Sequence, residues 1–289
     1  MTQPAFSQST HRHQEILEAQ RRSWDKFSPG WEKWDDFTMS FLDAQGAAIV
    51  EALGVSQNSL VLDVASGTGE PGLTLAARAV AGSVTALDVS ERMLAIADAK
   101  AEARGLGNFR TLVGDACQLP FADNSFDAVS CRLGFMFFPD MQAAAREMFR
   151  VLRKGGVLGT TVWAGPAENP WITALMGAIK QHFDVATPPP GAPGMFRCAE
   201  PGSLSALFRS VGLSVERDAL LSGAMYCSTS EEYWRFMNDV VPPVVAVLKD
   251  ADADTIAAIK DDLVTRLDRL APTIEKRVAC GAHVVIARK

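Results

Sequence analysis

A glycine-rich turn that follows a buried-looking carboxylate is the part of this chain best suited to binding chemistry. Residues 61–72 read VLDVASGTGEPG, an apolar run around Asp63 that leads into Gly67, Gly69 and Gly72. The apolar run favours a strand, and the glycines let the next turn bring backbone N–H groups close to a ligand. The stretch therefore predicts a strand, a glycine turn and a helix, with which open α/β sheets hold nucleotide-like ligands.

The three glycines leave two classes of ligand to consider. They match G-x-G-x-x-G, which taken alone indicates a dinucleotide, so an NAD(P)-dependent oxidoreductase is the alternative hypothesis. Asp63 argues against it, because a carboxylate repels a pyrophosphate and favours a ligand with a cationic amino-acid end. An oxidoreductase would also need a proton donor such as a Tyr–Lys pair, and neither Tyr226 nor Tyr233 forms one.

Two further aspartates follow predicted strands. Asp88 ends a predicted second strand at 83–88 and lies 19 residues after Gly69, where a carboxylate can accept hydrogen bonds from ribose hydroxyls. Asp115 follows a predicted third strand at 109–113, in the turn Gly-Asp-Ala. An Asx turn is the structural alternative for such an aspartate.

The chain continues to alternate between strand and helix patterns. Helices are predicted at 90–104 and 141–152, with Ser90 as the N-cap of the first, and strands at 126–131 and 157–163. This alternation predicts a parallel, doubly wound α/β sheet.

Several of these segments resemble the motifs of one enzyme family in order and spacing. DVASGTG at 63–69 resembles the first motif of the class I S-adenosylmethionine-dependent methyltransferases, and FDAV at 126–129 and RVLRKGG at 150–156 resemble later ones. The resemblance extends over about residues 24–163 and is strongest to the ubiquinone and menaquinone C-methyltransferase branch. It implies a Rossmann-like sheet of seven strands, mostly parallel, with an antiparallel last strand and helical lid additions.

The resemblance also implies S-adenosyl-L-methionine as the cofactor. In that family the strand acid helps to hold the methionine ammonium group, the second acid binds the ribose, and the third faces the adenine amino group. Residues at the carboxyl end of the fourth strand, where such sheets place ligands, and two aromatic residues of the N-terminal segment complete the set. The predicted cofactor-binding residues are Asp63, Ala65, Ser66, Gly67, Gly69, Asp88, Val89, Met93, Asp115, Ala116, Cys131, Arg132, Trp24 and Phe27.

An aromatic N-terminal segment and a Pro-rich insertion flank the predicted sheet. Residues 24–34 hold three of the six tryptophans, and we interpret the segment as a lid that excludes water from methyl transfer, with an amphipathic helix docked on the sheet domain as the alternative. Aromatic faces also suit a sulfonium cation. The predicted division is a helical lid at 1–45, a methyltransferase domain at 46–165 and 200–289, and an insertion over the substrate pocket at 166–199.

Catalytic and acceptor-binding residues are weakly marked. The cofactor is already activated, so a base is required only where the acceptor must lose a proton. His182, in the insertion, is the candidate base, with a surface histidine as the alternative, whereas His11 and His13 are assigned to a polar tail. Phe135 and Phe138, after the fourth strand, are candidates for the pocket wall, with core packing as the alternative.

Composition narrows the remaining classes of function. A net charge of −6 with no Lys/Arg run argues against a nucleic-acid surface. The five cysteines are widely spaced and form no C-x-x-C pair, which predicts neither disulfides nor a metal site and favours a reducing compartment. The most apolar run, 240–248, is too short to span a membrane, and no secretory signal is evident, so we expect a cytoplasmic protein.

The predicted function is transfer of a methyl group to a small-molecule acceptor of apolar or aromatic character by in-line displacement. A non-catalytic binding protein that retains the fold is a third hypothesis, which the intact set of cofactor motifs argues against.

Overall fold

A seven-stranded sheet forms the centre of the computed structural model, which describes residues 5–185, 189, 191–241, 244, 248–249 and 251–289. Its strand order is β3-β2-β1-β4-β5-β7-β6. Strands β1 to β5 are parallel, and β7 is antiparallel to both β5 and β6. The strands are β1 (Leu60–Val64), β2 (Ser83–Asp88), β3 (Phe109–Val113), β4 (Phe126–Arg132), β5 (Leu152–Trp163), β6 (Ser214–Cys227) and β7 (Lys276–Arg288). The predicted Rossmann-like sheet with its antiparallel last strand is confirmed.

Helices cover both faces of the sheet, and the first of them make up the segment predicted to be a lid. Their bounds are α1 (Ala5–Lys33), α2 (Asp35–Phe41), α3 (Asp43–Ala52), α4 (Gly72–Arg78), α5 (Glu91–Ala103), α6 (Met141–Val151), α7 (Pro170–Ile179), α8 (Ser203–Ser210), α9 (Ser230–Val240) and α10 (Ala253–Leu270). One core lies between the sheet and α3 to α5, and a larger one lies on the side of α6 to α10. Because both faces are covered, the central strand β1 is almost wholly buried.

Local signals in the sequence account for several boundaries. Ser90 caps α5, since its hydroxyl accepts the Met93 N–H at 3.1 Å, as predicted. Asp140 caps α6 in the same way, accepting from Ala143 at 2.9 Å. The fifth strand was predicted to begin at residue 157, but β5 begins five residues earlier, at Leu152, directly after α6.

The N-terminal region departs from one expectation. The assignment of His11 and His13 to a polar tail was wrong, because both lie on α1, one helix of 29 residues. The lid boundary at residue 45 and the insertion at 166–199 stay predictions, and residues 186–188 and 190 of that insertion lie outside the described part. Among the described helices, none combines the length and the apolar character needed to cross a bilayer.

Candidate active site

The turn after β1 opens a space at the carboxyl edge of the sheet. Ala65, Gly67 and Gly69 have positive φ angles of 55°, 52° and 104°, so the chain reverses sharply here. A Cβ built on Gly67 would have no neighbour within 4 Å. The loop is fastened to β2 by a hydrogen bond from the Ser66 N–H to the Leu87 carbonyl, 3.2 Å long. At Gly67 the turn therefore faces open space, while its base is held by the sheet.

Asp63 lies beneath this turn and is fully buried. Its Oδ1 accepts the Ser130 hydroxyl at 2.6 Å, and its Oδ2 accepts the Gly72 N–H at 3.1 Å. Burial raises the pKa of the carboxyl to about 7. A Cβ on Gly72 would lie 2.7 Å from Oδ2, so the third glycine is required by the buried carboxylate. Asp63 thus holds the junction between the glycine turn and α4.

Asp88 is bound to the glycine turn and to the start of α5. Its Oδ2 accepts the Gly67 N–H and its Oδ1 accepts the Ser90 N–H, each at 2.9 Å. Burial is the main cause of an upward shift in its pKa. A carboxylate has about four acceptor positions, so the two not used by the backbone can still accept hydroxyl groups. The geometry is compatible with the predicted ribose-binding role.

Asp115 lies in the turn after β3, next to the end of β2. The Gly114 N–H donates to the Asp88 carbonyl at 2.9 Å, which brings the turn beside the second acid. Asp115 Oδ1 accepts the Cys117 N–H at 2.8 Å, so the predicted Asx turn is present. Its Oδ2 lies 2.6 Å from His13 Nε2 on the lid helix and accepts a hydrogen bond when that nitrogen carries the proton. The candidate adenine-binding acid therefore contacts the lid.

Arg132 supplies a cation at the end of β4. Its Nη1 and Nη2 atoms lie 3.9 and 3.7 Å from Met39 Sδ, and no carboxylate among the described residues forms an ion pair with it. Burial lowers its pKa, and the nearby charge of Asp63 opposes that shift. The preceding Cys131 is buried, and burial raises its thiol pKa, the opposite of the shift that an activated nucleophile needs.

Other predicted cofactor residues surround this edge. In the described part of the chain, the buried hydroxyls of Ser66 and Thr68 have no hydrogen-bond partner. Met93 and Ala116 are buried, and Val89 is half-buried between the second acid and the N-cap of α5. Unpartnered hydroxyls in a glycine turn are the kind of groups that a polar ligand satisfies.

The lid helix α1 reaches the same edge by polar contacts and by aromatic ones. Asp25 Oδ1 accepts the Ser90 hydroxyl at 2.7 Å, close to the positive N-terminus of α5. The Trp24 ring meets the Phe137 ring edge-on at 5.4 Å between centroids. The predicted lid residue Phe27 is buried. These contacts place α1 across the ends of β2, β3 and β4.

The phenylalanine after β4 that faces the lid is not one of the two predicted for the pocket wall. Phe135 and Phe138 are buried, and their rings pack edge-on against each other, with Phe208 of α8 against Phe135. Core packing, which was the alternative for these two residues, therefore describes their surroundings. Phe137, which lies between them, faces the lid through Trp24. An alternation of this kind in a short helical turn is not readable from four adjacent apolar residues.

The histidines are also distributed differently from the prediction. His182 is exposed in the turn after α7, and no described contact joins it to the glycine turn or the lid. His13, which the sequence reasoning left out, contacts Asp115 instead. The two residues are 102 positions apart, so no local pattern could have indicated the pair.

Comparisons with known proteins also point to a methyltransferase. A family profile described as "Methyltransferase domain" matches residues 61–156. A demethylmenaquinone methyltransferase from Thermus thermophilus is 36% identical over 174 residues, which cover 56% of this chain and 78% of that protein. One from Deinococcus radiodurans is 35% identical over 191 residues, 61% of this chain and 76% of that protein.

A solved structure agrees at the level of the fold. The crystal structure of the YcgJ protein from Bacillus subtilis aligns with a TM-score of 0.56 and 18% identity, covering 85% of this chain and 97% of that one. The relatives give the oxidoreductase hypothesis no support. By its sequence relatives, its motifs and its sheet, the chain belongs to the class I S-adenosylmethionine-dependent methyltransferases.

Proposed function

We propose that this methyltransferase binds S-adenosyl-L-methionine at the carboxyl edge of β1, β2 and β4 and methylates a small, planar, largely apolar acceptor. The observation that carries the proposal is the convergence of three acids and an open glycine turn at one sheet edge beneath a helical lid. Asp88 contacts the turn directly, and Asp115 is linked to it through Gly114.

The residues at this edge fit the three parts of such a cofactor. The remaining acceptor positions of Asp88 suit ribose hydroxyls, and Asp115 with the Ala116 backbone suits adenine. The open backbone at Gly67 and the partnerless hydroxyls of Ser66 and Thr68 suit the methionine end.

The charges at the methionine end also fit. An amino-acid end carries one carboxylate and one ammonium group. Arg132, a guanidinium without an ion pair among the described residues, would hold the carboxylate. Asp63 has both oxygens bound to protein donors, so we assign it the role of bracing the turn.

The protein's part in the reaction is positioning and the exclusion of water. When bound, the cofactor supplies a methyl group on a sulfonium centre that is already activated for in-line displacement. The glycine turn and its acids orient the donor, and α1 closes the edge through Trp24 and Asp25. When reactants are held together in a site from which water is excluded, most of the rate acceleration comes from their proximity and orientation.

An aromatic pair at the lid supports a planar acceptor. The rings of Trp24 and Phe137 meet edge-on at 5.4 Å between centroids. Two relatives are named as methyltransferases of demethylmenaquinone, a name that supports a ring-bearing acceptor for this chain as well.

Calorimetry with S-adenosylhomocysteine tests the cofactor half of the proposal. We expect the wild type to bind it, and Asp88→Ala to weaken binding by at least about 100-fold, because lost hydroxyl partners are combined with a loosened turn. Asp115→Ala should have a smaller effect and His182→Ala none. Asp98→Ala is the matched control, since Asp98 is an exposed residue of α5 that accepts the Thr111 hydroxyl of β3. Absence of binding by the wild type would overturn the assignment.

An acceptor screen tests the other half. Purified protein with S-adenosylmethionine is offered quinols, phenols, amines and thiols, and release of S-adenosylhomocysteine is measured. We expect turnover with a planar ring acceptor. Turnover confined to charged aliphatic amines would contradict the acceptor class while leaving the cofactor site intact.

A further inference from the structure

Three side chains with different metal-binding atoms meet between the lid and the turn after β3. His13 Nε2, an Asp115 carboxylate oxygen and Cys117 Sγ all lie within 4.8 Å of one another. Asp115 and Cys117 belong to the turn, whereas His13 comes from α1. All three residues are partly buried, so the cluster is shielded but reachable from solvent.

The donor atoms match the preferences of a thiophilic divalent cation. Imidazole nitrogen, carboxylate oxygen and thiolate sulfur are the ligands with which proteins bind Zn²⁺, at about 2.0–2.3 Å in a tetrahedral arrangement. Three protein ligands leave the fourth position for solvent, as in zinc sites that keep an open position. The cluster therefore offers the types of donor atom that zinc prefers, which a group of carboxylates alone does not.

The surroundings of the cluster already orient two of the ligands. The Cys117 N–H donates to Asp115 Oδ1 at 2.8 Å, which leaves Oδ2 turned toward His13 at 2.6 Å. Cys117 forms no disulfide, and its thiol donates to the Asp140 carbonyl at 3.2 Å. Entry of a cation requires the His–Asp contact to lengthen by roughly 1 Å, to the spacing of neighbouring zinc ligands. A small shift of α1 supplies that change.

We propose that His13, Asp115 and Cys117 form a binding site for Zn²⁺ or a similar thiophilic cation, and that the bound ion excludes the cofactor. The ion would join the lid to the turn by coordinate bonds and take up Asp115. This second consequence rests on the proposed function, because Asp115 is there assigned to adenine. The sequence predicted no metal site, because its cysteines are widely spaced. It did not reveal this cluster, because the histidine ligand is remote in sequence from the other two ligands.

A titration with Co²⁺, as the spectroscopic substitute for Zn²⁺, tests the site on the whole protein without cofactor. We expect one equivalent to give a thiolate-to-metal charge-transfer band that Zn²⁺ displaces. Cys117→Ser should abolish the band, and His13→Ala should weaken binding by at least about tenfold. His11→Ala is the matched control, because His11 lies on the same helix, is exposed and pairs with Glu15. A band that survives Cys117→Ser, or no band in the wild type, would overturn the proposal.

Calorimetry with S-adenosylhomocysteine, with and without Zn²⁺, tests the competition. We expect Zn²⁺ to weaken binding in the wild type and in His11→Ala, with recovery on chelation, and to have little effect on His13→Ala. Equal affinity with and without Zn²⁺ in the wild type would refute the exclusion of cofactor. Failure of the metal-free protein to bind the ligand would instead overturn the proposed function, which the cobalt titration does not depend on.

Discussion

The two sides of the candidate active site are held together in opposite ways. On the sheet side, Asp63 and Asp88 are buried and each accepts two hydrogen bonds from the protein. On the lid side, α1 is joined to the same edge by His13 and Asp25, which are both partly exposed. The sheet side is therefore formed by folding itself, whereas the polar contacts that join α1 to this edge are ones that solvent can replace.

This difference separates stability from binding. Loss of a partner from a buried carboxylate leaves an unsatisfied charge, which costs folding free energy. Loss of a partly exposed hydrogen bond is compensated by water, so its effect on unfolding is small. We therefore expect substitutions at the sheet side to change both unfolding and cofactor affinity, and substitutions on the lid to change mainly affinity.

Gly72→Ala should have the largest effect. The new Cβ would lie 2.7 Å from Asp63 Oδ2 and 3.2 Å from the Phe109 ring, and the carboxylate is held on both sides. We expect a loss of about 2–3 kcal/mol in the free energy of unfolding, measured with urea, together with loss of S-adenosylhomocysteine binding. Gly107→Ala is the control, because its Cβ meets nothing within 4 Å. Equal stability of the two variants would contradict a carboxylate fixed beneath the turn.

Asp63→Asn should change how stability depends on pH. Burial raises the pKa of Asp63 from 3.8 to about 7, so between these values the folded state retains a proton that the unfolded state releases. Stability from this group is present at low pH and is lost as pH rises toward 7. The asparagine variant lacks this term, so its stability relative to wild type should increase by about 2 kcal/mol from about pH 5 to about pH 7.

Urea unfolding of both proteins across this pH range measures the difference. The pKa of Asp88 is raised as well, but that residue is present in both proteins and cancels in the comparison. Parallel curves for the two proteins would mean that Asp63 is ionised in the folded state.

Much of the sheet side could be predicted from sequence, because its determinants are local. The glycine turn, the acid before it and the Ser90 cap lie within a few residues of the elements they shape. The mostly parallel sheet with its antiparallel last strand followed from the alternating pattern together with the family resemblance. The detail that escaped was the engagement of Asp63 by Ser130 and Gly72, since strand pairing and not spacing brings Ser130 beside it.

The lid side could be predicted only as a segment. Clustered tryptophans indicated residues 24–34, but the facing of a helix depends on the surface that it covers. His13 contacts a residue from β3's turn, and Gly30 lies against Asp239 of α9, more than 200 positions away. Such pairs are set by tertiary packing, and for this reason His13 was wrongly assigned to a tail.

Gly30→Ala should displace the lid while leaving the sheet intact. The new Cβ would lie 1.9 Å from the Asp239 carbonyl oxygen, so α1 and α9 must separate. We expect S-adenosylhomocysteine to bind about tenfold more weakly, with faster proteolysis within α1 and a smaller loss of unfolding free energy than in Gly72→Ala. Gly107→Ala, whose Cβ meets nothing within 4 Å, is again the control. A loss of stability as large as that of Gly72→Ala would show that the lid is part of the folding core.

Asp25→Ala should have the smallest effect, and it removes the side chain through which α1 contacts the start of α5. It removes the acceptor of the Ser90 hydroxyl and a negative charge near the N-terminus of α5, each worth roughly 0.5 kcal/mol. Ser90 still accepts the Met93 N–H, so α5 stays capped. We expect a two- to fivefold weaker affinity for S-adenosylhomocysteine, about 0.5–1 kcal/mol, with unchanged urea unfolding. Glu18→Ala is the matched control, because Glu18 pairs with Arg21 and Arg22 within the same helix. Equal affinities of the two variants would mean that Asp25 does not hold the lid on the cofactor edge, and closure would then depend on the aromatic contact between Trp24 and Phe137.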